Sequence, residues 1–249
     1  MMTKDGGRRI ATSTGAVLAD ERSVGRLTSP SPESLFAPAF WAARRELADV
    51  AAGRGAAWFV AESGRWVLRH YRRGGWVSRW STDRYLWGGE SRVRSFAEWR
   101  LLAFLNSRGL PVPKPVAARY RRAGPWYRCD LITERIAGAQ PLSAVLMQAP
   151  LTEGVWRGIG AAVARLHAAG ADHADLNAHN ILVSDAGAIS VIDFDRGRLR
   201  MPGAGRAWAG SNLQRLHRSL VKIARLMPPD RFTAAAWDWL LAGYRALPV

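Results

Sequence analysis

The chain has 249 residues, is 48% hydrophobic, and sets 36 Lys and Arg against 20 Asp and Glu, for a formal net charge of +16. That size suits one large domain or two small lobes, and the apolar content excludes disorder throughout. The single cysteine, Cys129, excludes an intrachain disulfide and a cysteine zinc cluster.

The N-terminal stretch MMTKDGGRRI lacks the apolar core of a secretory signal, and no run approaches the roughly 18 apolar residues of a membrane span. A soluble cytoplasmic protein, free or surface-bound, is therefore expected. The positive charge predicts attraction to polyanions, whether nucleic acid, anionic headgroups or phosphorylated substrates, without choosing among them. Nearly all of it is arginine, since the only lysines are Lys4, Lys114 and Lys222, and genome composition accounts for that as readily as function does.

Residues 1–33, rich in Gly, Ser, Thr and Pro, read as a loosely ordered arm able to add an edge strand. LFAPAFW (35–41) opens the folded part. AWFVA (57–61) and RWVLRHY (65–71) are β-prone runs around Glu62-Ser63-Gly64, a predicted hairpin with Gly53 and Gly55 just before it. Phe96, Trp99, Leu102 and Ala103 recur at helical spacing within 94–106, and Gly109 with LPVPKP ends that helix. Residues 126–136 read as strand, broken at Ala137-Gly138-Ala139.

A second helix places Val155, Ile159, Ala162, Val163 and Leu166 on one face and leads into HADLNAHN (173–180). A short strand over 189–194 follows an Asp185-Ala186-Gly187 turn, and Leu213, Leu216, Leu220 and Ile223 mark a third helix. The order predicts an α+β bilobal fold: a β-rich N-lobe at 34–134 and a mostly helical C-lobe at 135–249, joined near 134–141.

His173, Asp175 and Asn180 fit H-x-D-L-x-x-x-N, and Asp193-Phe194-Asp195 follows after an intervening strand. Phosphoryl transfer needs a carboxylate to orient the acceptor hydroxyl and take its proton, plus oxygen ligands holding magnesium against the phosphates. Asp175 is the candidate base, and Asn180 and Asp193 the candidate Mg2+ ligands. His173 reads as a brace for the loop. Two other readings stand beside this one: a zinc site from His173, His179 and Asp175, and a solvated polar loop without chemistry.

A kinase reading also asks the first half for a glycine turn over the ATP phosphates, a cation on the next strand, and a helix glutamate to hold it. Gly53 and Gly55 supply the turn. Arg69 is the best candidate for the cation, with Arg72 and Arg73 as alternatives. Glu98 is its natural partner, unless it is an exposed helix carboxylate paired with Arg94 or Arg100. Glu134 and Ile136 fall where the lobes would join and backbone groups would meet adenine.

The set Gly53/Gly55, Arg69, Glu98, H-x-D-L-x-x-x-N and Asp193 resembles the protein-kinase-like superfamily over about residues 50–225. More narrowly, LRHYRRGG (68–75), DRYLW (83–87), GLPVPKPVAAR (109–119), HADLNAHNIL (173–182) and IDFDRGRLR (192–200) resemble the lipopolysaccharide kinase family, in particular its kinases of 3-deoxy-D-manno-octulosonic acid (Kdo). The resemblance implies a protein-kinase-like bilobal fold, with ATP and Mg2+ as cofactors. It further implies phosphorylation of the 4-hydroxyl of Kdo on a Kdo-lipid A precursor, Kdo-lipid IVA. The expected location is peripheral, on the anionic cytoplasmic face of the inner membrane, with no nucleic-acid partner.

The chain departs from protein kinases at Asn177, where serine/threonine kinases usually carry lysine, and at Asp195, which replaces the glycine of D-F-G. No A-P-E triplet follows Asp193, so a full activation segment and a protein acceptor are not expected. The arginine clusters of 69–73 and 196–200 are candidates for holding an anionic acceptor. The basic, apolar-striped segment 211–226 would either lie on an anionic bilayer or pack into the C-lobe. A heptose or aminoglycoside-type kinase, and a non-catalytic nucleic-acid- or membrane-binding pseudokinase, are the remaining alternatives.

Overall fold

A computed structural model describes residues 7–20, 31–50, 57–72, 83–201 and 207–247. The chain divides into two compact units: Met1–Phe104 with Lys114–Arg135, and Leu105–Pro113 with Ile136–Val249.

The first unit is built on an eight-stranded antiparallel sheet in the order β1-β2-β7-β8-β5-β4-β3, with β6 also paired to β8. Its strands are β1 (Arg8–Ala11), β2 (Gly15–Ala19), β3 (Leu47–Val50), β4 (Ala57–Val60), β5 (Trp66–His70), β6 (Tyr85–Leu86), β7 (Pro115–Ala123) and β8 (Trp126–Glu134). The hairpin β4–β5 forms as its β-prone runs predict, turning through a single 3-10 turn at Glu62–Gly64. Part of the N-terminal arm is ordered and forms one edge of this sheet. Residues 8–19 form a hairpin whose second strand pairs with β7, because Val17 and Leu18 in the apolar run GAVLA are fully buried there. Thr12, Ser13 and Thr14 lie in the turn between the two strands.

One sheet face buries Val17, Val60, Trp66, Leu68, Val116 and Ile132 under helix α1 (Pro38–Ala43) and the turn before it. Trp41 anchors this layer, its indole N–H donating to the Leu35 carbonyl at 2.8 Å and its ring meeting Trp66 edge-on at 5.9 Å. The other face carries α2 (Arg94–Asn106), which buries Phe96, Trp99 and Leu102 at helical spacing. Gly109, with φ of +66°, stands just past its end, in a conformation that favours glycine.

The second unit contains α3 (Leu142–Gln148), α4 (Glu153–Ala168), α5 (Ala207–Ala224) and α6 (Ala234–Arg245). Thr152 caps α4 by accepting from the Val155 N–H, and Trp156, Ile159, Ala162, Val163 and Leu166 form its buried stripe. Helix α6 packs against α4 at van der Waals distance. A Cβ on Gly160 would lie 2.0 Å from the Leu240 carbonyl oxygen, and one on Gly243 would lie 2.1 Å from that of Arg157. Only glycine permits this approach.

A three-stranded sheet in the order β12-β11-β9 joins β9 (Ala139–Pro141), β11 (Ile181–Ser184) and β12 (Ile189–Val191). A two-stranded ladder pairs β10 (Ala171–Asp172) with β13 (Arg198–Leu199). These short strands leave the segments between them, 173–180 and 192–197, fixed at both ends. From Asp193 the chain passes through β13 to α5.

Candidate active site

In the first unit, β5 turns Trp66 and Leu68 into the core, so strand alternation sends Arg69 to the face covered by α2. There Arg69 Nη2 donates to Glu98 Oε2 at 2.5 Å. Glu98 is only 3% exposed, so it is not the exposed helix carboxylate that its neighbours Arg94 and Arg100 would suggest. A carboxylate so far from water needs a cation and further hydrogen bonds. Tyr71 contributes one: its hydroxyl donates to the same Oε2 and accepts from Arg69 Nη2 at 3.1 Å. The Arg69 guanidinium also lies 4.7 Å from the centroid of the Tyr71 ring, and 24% of its side chain remains exposed.

The opposite face of the sheet carries a second charged row that sequence reading missed. His70 Nδ1 lies 2.6 Å from Asp130 Oδ1, while Arg119 donates to Asp130 Oδ2 from Nε at 2.9 Å. These pairs span 60 and 11 positions, and they become visible only once β5, β7 and β8 are placed side by side. Cys129 is buried, and burial pushes its thiol up to about 12, so it offers no thiolate at neutral pH.

In the second unit, the loop between β10 and β11 is organised around His173, which is 2% exposed. Its Nδ1 accepts from the Asp175 N–H at 3.1 Å, and its Nε2 lies 3.0 Å from the Ile192 carbonyl. A ring that accepts at one nitrogen and donates at the other is neutral, and burial lowers its pKa in the same sense. The ring packs on Phe194 with centroids 4.6 Å apart, tying the catalytic-type loop to the segment after β12. With both nitrogens engaged, His173 has none left for zinc. No group of three or more His, Cys, Asp and Glu suited to a metal occurs among the described residues.

Asp175 itself is exposed. Its backbone is held from both sides, because its carbonyl accepts from Asn180 Nδ2 at 2.9 Å and from Asn177 Nδ2 at 3.0 Å. The Asn180 bond fixes the amide so that Oδ1 is its remaining acceptor. Ile192 N–H donates to the Asn180 carbonyl at 2.9 Å, extending the β11–β12 ladder by one step and setting Asp193 beside Asn180. Asp193 adopts φ of +64°, a left-handed conformation rare outside glycine. An amide oxygen and a carboxylate are the hard donors that Mg2+ takes, so this pair fits that ion.

Sequence reading also missed Asn212 on α5. It is 2% exposed, accepts from the His173 N–H at 2.9 Å, and donates to Asp172 Oδ1 at 3.0 Å. The available signal is an amide at helical spacing with the buried Leu216 and Leu220.

Gly53, Gly55 and Arg73 lie outside the described residues. Glu134 spends its backbone N–H on the Lys114 carbonyl at 2.8 Å, and its carboxylate lies 3.4 Å from Lys114 Nζ. No backbone hydrogen bond engages Ile136 among the described residues.

Residues 38–244 match the family described as Lipopolysaccharide kinase (Kdo/WaaP) family. The chain is 49% identical over 210 residues to a 3-deoxy-D-manno-octulosonic acid kinase of Xanthomonas euvesicatoria pv. vesicatoria (strain 85-10), covering 84% of this chain and 81% of that one. It is 50% identical over 190 residues to a protein of the same name from Xylella fastidiosa (strain 9a5c), covering 76% and 75%.

Proposed function

Because the chain belongs to the lipopolysaccharide kinase (Kdo/WaaP) family and is a kinase, we propose that it transfers the γ-phosphoryl group of ATP to the 4-hydroxyl of a Kdo residue on Kdo-lipid IVA. The observation that carries this reading is the loop around Asp175, where an exposed carboxylate stands on a backbone held by His173, Asn177 and Asn180. A general base must be preorganised yet reachable, and this arrangement meets both demands.

Asp175 orients the acceptor hydroxyl and takes its proton. The hydroxyl oxygen bonds to the γ-phosphorus as the bond to the bridging oxygen breaks, and ADP leaves. Asn180 Oδ1 and the Asp193 carboxylate would hold Mg2+, which when bound neutralises charge on the phosphates. Arg69, held by Glu98 and Tyr71, takes a phosphate by its planar fork, where a lysine would offer a point charge. Gly53 and Gly55 are assigned to the phosphate turn, and the backbone of Glu134 and Ile136 to adenine.

The acceptor is presented at the anionic cytoplasmic face of the inner membrane, and the chain docks there peripherally. Its net charge of +16 supports this. So does the end of α5, where exposed Arg218, Lys222 and Arg225 surround Val221 and Leu226, 38% and 73% exposed. No helix among the described residues is long and apolar enough to cross a membrane. The reaction is tested by incubating the purified chain with γ-labelled ATP, Mg2+ and Kdo-lipid IVA. Label should appear in the lipid with wild type and be lost with Asp175→Ala; label absent with wild type, or undiminished in the variant, overturns the reading.

A further inference from the structure

The sequence offers basic positions on β5 and after Asp193 as candidates for holding the acceptor, and the structure sorts them. Arg69 is committed to Glu98. Arg200 is committed to Asp172, with Nε at 2.9 Å and Nη2 at 2.5 Å from Oδ2. Arg196 and Arg198 are different. Both are exposed, and no ion pair or side-chain hydrogen bond engages either of them among the described residues.

Their positions are nevertheless fixed. Phe194, 1% exposed and packed against the His173 ring, pins one end of the turn, and the Gly197 N–H donates to the Phe194 carbonyl at 2.8 Å. At the other end Arg198 pairs with Asp172 in the β10–β13 ladder, and the Arg200 N–H donates to the Gly170 carbonyl at 2.8 Å. Asp172 immediately precedes His173, so Arg198 stands across the ladder from the start of the Asp175 loop. Arg196 holds φ of +62°, a conformation that costs energy in a residue with a Cβ and persists only where its surroundings impose it. Leu199, the last residue of β13, and Met201, two positions beyond it, are 42% and 79% exposed. A carboxylate, Asp195, directly precedes Arg196 in sequence, so the excess here is one positive charge.

Two unengaged guanidinium groups on a rigid turn beside the catalytic loop, next to exposed apolar side chains, have the chemistry of a site for an anionic glycolipid headgroup. We propose that Arg196 and Arg198 form the acceptor's anion subsite, gripping a carboxylate or phosphate of the sugar-lipid while Asp175 meets the hydroxyl. This rests on the phosphoryl transfer proposed above and deepens it by assigning the residues that hold the acceptor.

The test is steady-state kinetics of the full chain on Kdo-lipid IVA in wild type, Arg196→Ala, Arg198→Ala, the double variant, and the two Arg→Lys variants. Removing either charge-assisted hydrogen bond should raise the acceptor KM about tenfold, with the KM for ATP and the melting temperature unchanged, and lysine should restore part of the affinity. A parallel arm with enzymatically dephosphorylated acceptor separates the two anions. If the variants' effect persists there, the sugar carboxylate is the ligand; if it vanishes, a lipid phosphate is. An unchanged acceptor KM in the double variant of an enzyme that does phosphorylate Kdo-lipid IVA overturns the subsite alone. A wild type inert towards that acceptor overturns the reaction and the subsite with it.

Discussion

Arg69 and Glu98, 29 positions apart, meet through a 2.5 Å hydrogen bond between Nη2 and Oε2, and Tyr71 closes the triangle by bonding both. The carboxylate is almost fully buried and the guanidinium is not, so the two residues are unequal partners. Arg69→Met takes a cation away from a carboxylate that is almost fully buried and should destabilise the fold by about 3 kcal/mol, measured by urea unfolding. Glu98→Gln should cost less in stability and act on ATP instead, raising its KM.

Tyr71→Phe keeps the ring beneath the guanidinium and removes only the hydroxyl. The loss of one hydrogen bond to a charged group predicts a several-fold increase in the KM for ATP with little change in the KM for acceptor. Equal changes in both would mean that Tyr71 acts on general stability and not on Arg69.

Asp175→Asn should lower kcat by about 10² to 10⁴ while leaving ATP-Mg2+ protection against heat intact, because the base acts on the acceptor alone. Asn180→Ala and Asp193→Ala should shift the magnesium requirement upwards. A thermal shift with ATP that is lost in Asp175→Asn but kept in Asp193→Ala would reverse these roles.

Asn212→Ala removes the acceptor for the His173 N–H and a donor to Asp172 without touching any reacting atom. It should cost about 1 to 3 kcal/mol in unfolding free energy and reduce kcat with both KM values kept. Asn212→Asp keeps an acceptor for the His173 N–H but sets a second buried carboxylate against Asp172 Oδ1, so it should recover none of that stability at neutral pH.

His167 on α4 is buried beside Trp208, lies within hydrogen-bond distance of the Tyr244 hydroxyl at 2.8 Å, and has its pKa lowered by burial to about 4. The unfolded chain holds this group near the ordinary 6.5, so between those values it binds a proton that the folded chain refuses. Stability should therefore be full above about pH 6.5 and decline by about 3 kcal/mol as pH falls towards 4. Urea unfolding of His167→Gln over the same range should show a shallower slope; an identical slope would assign the acid lability to other groups, His173 first among them.

Much of this architecture is legible from sequence where local pattern decides it. The helix over 94–106, the hairpin around Glu62-Ser63-Gly64 and the stripe of α4 follow from periodicity and turn residues. Strand β7 does not, because Lys114-Pro115 reads as a terminator. Proline is tolerated at the first residue of a strand, and Pro115 stands there. Helix α6 hides in a short Ala- and Trp-rich tail, and its close seat on α4 depends on Gly160 and Gly243 meeting across the fold. The Asp175 loop is readable because its residues are neighbours in sequence. Asn212 and the His70–Asp130–Arg119 row are not, since topology alone brings them together.

Whether the Asp175 loop serves transfer to Kdo is tested most directly by offering the purified chain ATP-Mg2+ with a panel of Kdo-lipid IVA, a heptosylated core acceptor, an aminoglycoside and duplex DNA, reading products by mass spectrometry. One added phosphoryl group, on Kdo-lipid IVA alone and located at the Kdo 4-hydroxyl by fragmentation and NMR, is the expected result. Phosphate on heptose or the aminoglycoside, or tight salt-dependent DNA binding with no phosphorylated product, would contradict it.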